Sequence, residues 1–333
     1  MINRDAHLIE QLFSKNIEMT PTRNGYGEGV VEAAAKNTNI VVVCADLTDS
    51  TRNTEFKKQF PERFVQVGVQ EQLLAAMGAG LALGGKIPYI TSYAMFCPGR
   101  AWEQVRTNIC LNEVNVKIIG SHAGVSVGPD GATHQAIEDI AIMRPIPNMT
   151  VIAPCDVHEA RKATVAISKY EGPCYVRYAR EKTPVFTTEK TPFKIGKANV
   201  LRDGKDVAII ACGPLVYNAL KAAEDLSKGR NKVDCMVINS HTIKPLDEKT
   251  ILKAAEKCKA IVTVEEHQVT GGLGGAVAEF LAKKQPTPIE FIGVQNTFGE
   301  SGEPMELVEH FGMGVKDIKA AIKRARKRKK GKK

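Results

Sequence analysis

The sequence predicts an α/β protein made of two tandem parallel-sheet domains, and three observations lead there. Apolar runs of strand length alternate with amphipathic segments of helix length, the pattern of strands covered by helices on both faces. The alternation breaks once, at the polar stretch "EKTPVFTTEKTPFKIGKA" (181–198), and then resumes. Finally, 333 residues exceed the roughly 250 that a single hydrophobic core usually reaches.

Taken in order, "IVVVCAD" (40–46) is apolar almost throughout and rich in β-branched residues, as a strand buried on both faces requires. "QEQLLAAMGAGLALGG" (70–85) is a helix of small and apolar residues that stops at paired glycines. "IPYITSY" (87–93) is the next strand, "AWEQVRTNICLN" (101–112) a helix, "VKIIGSH" (116–122) and "TVIAPCD" (150–156) two more strands, and "HEARKATVAISKY" (158–170) an amphipathic helix. After the polar break, "DVAIIACG", "KVDCMVINS" and "AIVTVEE" read as strands, and "PLVYNALKAAEDL", "DEKTILKAAEKC" and "GGLGGAVAEFLAK" as the helices between and after them. The expected boundaries are a first domain at 1–183, a linker at 184–200, a second domain at 201–318 and a basic tail at 319–333.

Composition excludes several function classes. Hydrophobic residues make up 43% of the chain, and no apolar run approaches the roughly 18 residues of a membrane span. "MINRDAHLIEQLF" lacks the continuous apolar stretch of a secretory signal, so a cytoplasmic protein is expected. Eight cysteines, scattered and without a CxxC pair, read as reduced thiols, and neither a zinc site nor any other metal ligand set is indicated. Of the net charge of +9, the segment 319–333 alone supplies ten lysines and arginines, which leaves the body of the chain near neutrality. The tail is expected to be a solvated, disordered end, with nucleic acid bound only nonspecifically. "GGLGG" (271–275) is not a dinucleotide fingerprint, because no GxGxxG follows a first strand, and no GxxxxGK[ST] phosphate loop is present.

Two stretches carry chemistry. "SHAGVSVGPDGATHQ" (121–135) is too rich in glycine for a helix and too polar for a core strand, yet it holds His122, Asp130 and His134 directly after a buried strand. Strand ends of this kind are where open α/β sheets bind ligands. In "GVQEQ", Glu71 opens an apolar helix, where a carboxylate gains from the helix dipole; that gain alone is a sufficient structural reason for it. "VEEH" (264–267) carries no assignment.

These residues resemble a known family over nearly the whole chain: the C-terminal half of transketolase, comprising its pyrimidine-binding and C-terminal domains, as in the separately encoded C-terminal subunit of split transketolases. "GVQEQ" resembles the segment whose glutamate activates thiamine diphosphate, "TSYAMF" the aromatic wall for the aminopyrimidine, and "SHAGVSVGPDGATHQAIEDIAIMRPIPNMTVIAPCD" the substrate loop. The resemblance implies that Glu71 presents a carboxylic acid to N1′ of the pyrimidine, its burial favouring the protonated form, and that Tyr93 and Phe96 stack against the ring. Asp46 becomes a polar neighbour of the thiazolium. Arg23, Ser50, His122 and Arg180 become ligands of a substrate phosphate, Asp130 the reader of the acceptor's C2 hydroxyl, and His134 a contact to the transferred unit. Gly99 stands where the family has a further aromatic residue.

The implied reaction moves a two-carbon glycolaldehyde unit between ketose and aldose phosphates, as in pentose phosphate metabolism. The family's GDG and downstream asparagine, which hold magnesium (or calcium) and the diphosphate, do not occur here. The resemblance therefore implies a partner, an N-terminal subunit carrying that site, with two copies of each chain and sugar phosphates as substrates. The related alternatives are the beta subunit of a 2-oxoacid dehydrogenase and a deoxyxylulose-phosphate synthase-like enzyme. A nucleic-acid-binding or scaffolding protein acting through the tail is an alternative of another class.

Overall fold

The computed structural model describes residues 1–228, 231–329 and 331. Eight strands belong to the first half: β1 (Met19–Pro21), β2 (Ile40–Cys44), β3 (Phe64–Gln66), β4 (Ile87–Tyr93), β5 (Lys117–Ser121), β6 (Thr150–Ile152), β7 (Cys174–Arg177) and β8 (Lys182–Pro184). Six belong to the second: β9 (Asn199–Arg202), β10 (Val207–Ala211), β11 (Cys235–Asn239), β12 (Thr242–Lys244), β13 (Ile261–Gln268) and β14 (Ile289–Val294). The main sheets have seven and five strands, ordered β12-β6-β7-β5-β4-β2-β3 and β14-β13-β10-β11-β9, and β1 pairs with β8 in a small ribbon. The α/β class with two sheets is thus the observed one. Every residue of β2, β5, β10 and β11 is buried, which is why these runs read as continuously apolar. The segment 101–112 forms helix Trp102–Gln104 and then widens into π-type turns over Val105–Cys110.

The chain crosses between the halves in both directions. β12, from the second half, pairs antiparallel with β6 at the edge of the first sheet. The N-terminal segment, counted by sequence with the first domain, instead joins the second: Ile2 bridges Arg202, and Ala6 and Leu12 are buried in the core that holds Leu201, Val207 and Val216. β9 likewise begins inside the stretch expected to be linker.

The expected basic tail needs a larger correction. Residues 315–329 form a helix, Val315–Lys329, whose Ile318, Ala321, Ile322 and Ala325 are buried in the second core. Those positions fall at i, i+3, i+4 and i+7, one apolar stripe among lysines and arginines. The basic residues line its outer side, where Arg324 and Arg328 bond Glu290 and Lys319 bonds Asp225. Of the tail, residues 330, 332 and 333 lie outside the described residues. All eight cysteines are free and buried. No helix among the described residues is long and apolar enough to cross a membrane.

Candidate active site

The expected site residues gather at the C-terminal edge of the first sheet. The loop after β2 is fastened to β4 by Asn53, which donates to Thr91 Oγ1 at 2.8 Å and accepts from the Tyr26 hydroxyl at 2.7 Å. Ser50 and Arg52 are carried on this loop. The start of helix Thr22–Lys36 is tied to the segment after β7, where Ala179 N donates to Thr22 Oγ1 at 2.7 Å. That bond brings Arg23 to the same edge as Arg180.

His122 follows β5 with φ of 56°, a left-handed conformation that side-chain-bearing residues seldom adopt and that often marks a functional position. Arg23 Nη1 donates to Ser50 O at 2.9 Å and lies 3.2 Å from His122 Nε2. A guanidinium can only donate, so Nε2 accepts, and the proton sits on Nδ1, 2.8 Å from Ser121 Oγ. Burial, then the charges of Arg23, Arg180 and Arg52, push the His122 pKa down to about 2. Burial, followed by Arg52 and Arg180, also draws Arg23 below the usual guanidinium range. Three cations thus flank a neutral imidazole, a local field that favours an anion.

The titration of His122 is directly measurable. An unfolded histidine takes up a proton near pH 6.5, whereas the folded ring does not until near pH 2. Its contribution to stability is therefore complete above about pH 6.5 and is lost as the pH falls toward 2. In NMR spectra the His122 ring signals should stay flat from pH 8 to about 5; a midpoint above 5 would contradict the buried, cation-flanked environment.

Tyr93, the last residue of β4, stacks on His122 with ring centroids 3.8 Å apart. Phe96 stands 6.2 Å from Tyr93, and the His134 ring meets the Phe96 ring edge-on at 5.2 Å. One Tyr93 face is thus engaged by the arginine-flanked histidine, which joins the aromatic residues to those cations. Arg180 donates to Val127 O at 2.5 Å and reaches Asp130 Oδ1 at 3.4 Å, which places the exposed Asp130 beside it. Asp46 is exposed with φ of 57°, and its amide donates to Gln66 Oε1 at 2.8 Å. Among the described residues no hydrogen bond ties its carboxylate to the aromatic cluster.

Glu71 is the first residue of helix Glu71–Leu83 and is 2% exposed. Its partner is a residue that the sequence reading overlooked: Arg100 Nη1 donates to Glu71 Oε2 at 2.7 Å while its guanidinium lies over the Phe96 ring, 4.9 Å from the centroid. Glu71 therefore faces a counter-charge as well as buried surroundings, where burial alone was expected. Nothing in "CPGRAW" marks Arg100 beyond its being one residue past Gly99. Gly99 has its own reason: a Cβ there would stand 1.9 Å from Met95 O, so the turn after Phe96 admits no larger residue. Arg52 was also overlooked; it has φ of 61°, and its Nε donates to Asn24 Oδ1 at 2.9 Å.

Sheet and contacts together define a two-domain α/β protein with arginines and a buried carboxylate gathered around one aromatic cluster. The transketolase pyrimidine-binding domain model matches residues 18–185 and the transketolase C-terminal domain model residues 196–318. The chain belongs to the transketolase family and corresponds to the separately encoded C-terminal half. It is 45% identical to a Methanocaldococcus jannaschii protein provisionally named as a transketolase C-terminal section, covering 90% of this chain and 94% of that one. A 6-deoxy-6-sulfo-D-fructose transketolase subunit of a Clostridium strain is 39% identical over 96% of this chain and 99% of its own length. The solved structure of a split-gene transketolase, described as an inactive beta4 tetramer, superposes with a TM-score of 0.86 at 42% identity, over 92% of this chain and 98% of that one.

Proposed function

We propose that this chain is the pyrimidine-side subunit of a thiamine-diphosphate-dependent transketolase, completed by a partner that carries the diphosphate-binding domain. The observation that carries the reading is the continuity of the site: Glu71, Arg100, Phe96, Tyr93, His122 and Arg23 form one chain of contacts from the buried carboxylate to the anion pocket.

The residues fit the cofactor's pyrimidine end. A flat cationic group, the Arg100 guanidinium, already lies on Phe96 and bonds Glu71, which is the pair of contacts an aminopyrimidine with a proton at N1′ would seek. Glu71, Phe96 and Tyr93 would hold that ring, with Arg100 yielding its place. When bound, thiamine diphosphate supplies a nucleophilic carbon for cleaving the bond next to a ketose carbonyl. Glu71 holds a proton at N1′, in a site where burial strengthens that hydrogen bond. Neutral His122, Arg23 and Arg180 bind the terminal anion, and Asp130 and His134 orient hydroxyls near the reacting end. Metal and diphosphate are assigned to the partner, with two copies of each chain in the assembly. Val69 and Leu73, exposed at 66% and 41% on either side of Glu71, give that partner an apolar surface at the mouth of the site.

Among the relatives, one is named for a sulfo-sugar and another, 36% identical, for apulose 4-phosphate. Both names describe sugars ending in a tetrahedral anion, the shape that three arginines suit; ketose and aldose phosphates are the substrates proposed here. With the partner present, Arg23→Ala and Arg180→Ala should each raise KM for a ketose phosphate about 10-fold or more while changing KM for unphosphorylated hydroxypyruvate little. Equal losses on both donors would mean that the arginines serve the fold rather than the substrate.

A further inference from the structure

We propose that Glu266, in the C-terminal domain, is a positioning residue that holds the substrate loop and, through it, Arg180; this rests on the reading of the loop given above. Glu266 lies on β13 within the unassigned "VEEH", and it is buried. Its Oε1 accepts from Ser126 N at 2.7 Å, across the boundary between the two halves. The bond reaches the first turn of the short helical segment Val125–Asp130, whose next residue supplies the carbonyl that holds Arg180 Nη1 at 2.5 Å. A path of two contacts thus runs from a carboxylate of the second domain to an anion ligand of the first.

The loop is shaped around this carboxylate. Gly124 has φ of +90°, and a Cβ there would stand 2.2 Å from Glu266 Oε1, so side chain and loop are in close contact. Arg177 clasps the other side, its Nη2 donating to Ala136 O at 3.1 Å and to Glu266 O at 2.7 Å. Gln135 adds a further cross-domain bond, donating to Glu300 O at 2.8 Å. A backbone N–H gripped by a carboxylate makes a stronger hydrogen bond than one gripped by a neutral acceptor. A glycine-rich loop tied by this bond at Ser126 and by Gln135 to Glu300 O has far fewer conformations to lose when substrate binds.

The test uses Glu266→Ala, Glu266→Gln and, because the first could fail to fold, Ser126→Pro, which removes the amide donor from the loop side. In hydrogen-exchange measurements on the full chain, Glu266→Ala should speed exchange in 125–130 about 10-fold while leaving β10 and β11 unchanged. With the partner subunit, Glu266→Ala and Ser126→Pro should each raise KM for phosphorylated substrates about 10-fold with kcat changed less than about threefold, and Glu266→Gln, which still accepts the bond, should stay close to wild type. Unchanged loop exchange in both disrupted variants would overturn the proposal. So would losses of kcat and KM shared equally by phosphorylated and unphosphorylated donors. Faster loop exchange in the variants, found while the wild-type complex transfers no two-carbon unit, would support the clamp and refute the transketolase reading alone.

Discussion

Glu71→Gln is expected to reduce two-carbon transfer by the reconstituted complex at least about 100-fold, the usual cost of losing an essential acid. The amide matches the carboxylate in size and can still accept from Arg100, so folding and assembly should persist; it cannot deliver a proton to N1′. Steady-state rates at saturating cofactor check this, alongside sedimentation of the complex. A variant that kept most of its rate would reduce Glu71 to a charge at a helix N-terminus, worth about 0.3–1 kcal/mol of stability.

The second large effect concerns the isolated chain. With saturating thiamine diphosphate and magnesium, it should bind cofactor weakly and transfer nothing, because Glu71, Tyr93 and Phe96 reach only the pyrimidine end and leave the diphosphate charge unmet. Adding a subunit with the GDG and downstream asparagine should restore tight binding and turnover together. Isothermal titration of each subunit alone, then of the mixture, reads both. Tight binding and transfer from xylulose 5-phosphate to ribose 5-phosphate by this chain alone would refute the split-site account.

The sheets were legible because their strands are buried on both faces and need no alternation to be recognised: "IVVVC" and "VAIIA" can be little else. β12 was not legible, since three residues at a sheet edge carry no periodic signal. The helix Val315–Lys329 hid its stripe of Ile318, Ala321, Ile322 and Ala325 behind charge density, and a segment dominated by lysine and arginine reads as solvated before its spacing is noticed. Among the candidate site residues, His122 and His134 stand in one long motif, whereas Arg23, Ser50 and Arg180 were named from short stretches that match the family in order. Arg100 lies over a ring and Arg52 on a left-handed turn, and a lone arginine in sequence announces neither. Glu266 left one hint: a pair of acids closing an apolar strand must find partners when buried.

The exchange of segments between the halves has a thermodynamic meaning. β12 completes the edge of the first sheet, and the N-terminal residues complete the second core, so each half unfolds only by stripping a piece from the other. The two domains should therefore melt together in one transition, and the stretch between them is part of the joint: Phe186 is buried in the second core, and Phe186 N and Thr187 N donate to Asp156 Oδ2 of the first half. Cleavage within that stretch would leave a nicked molecule still interlaced by its own strands.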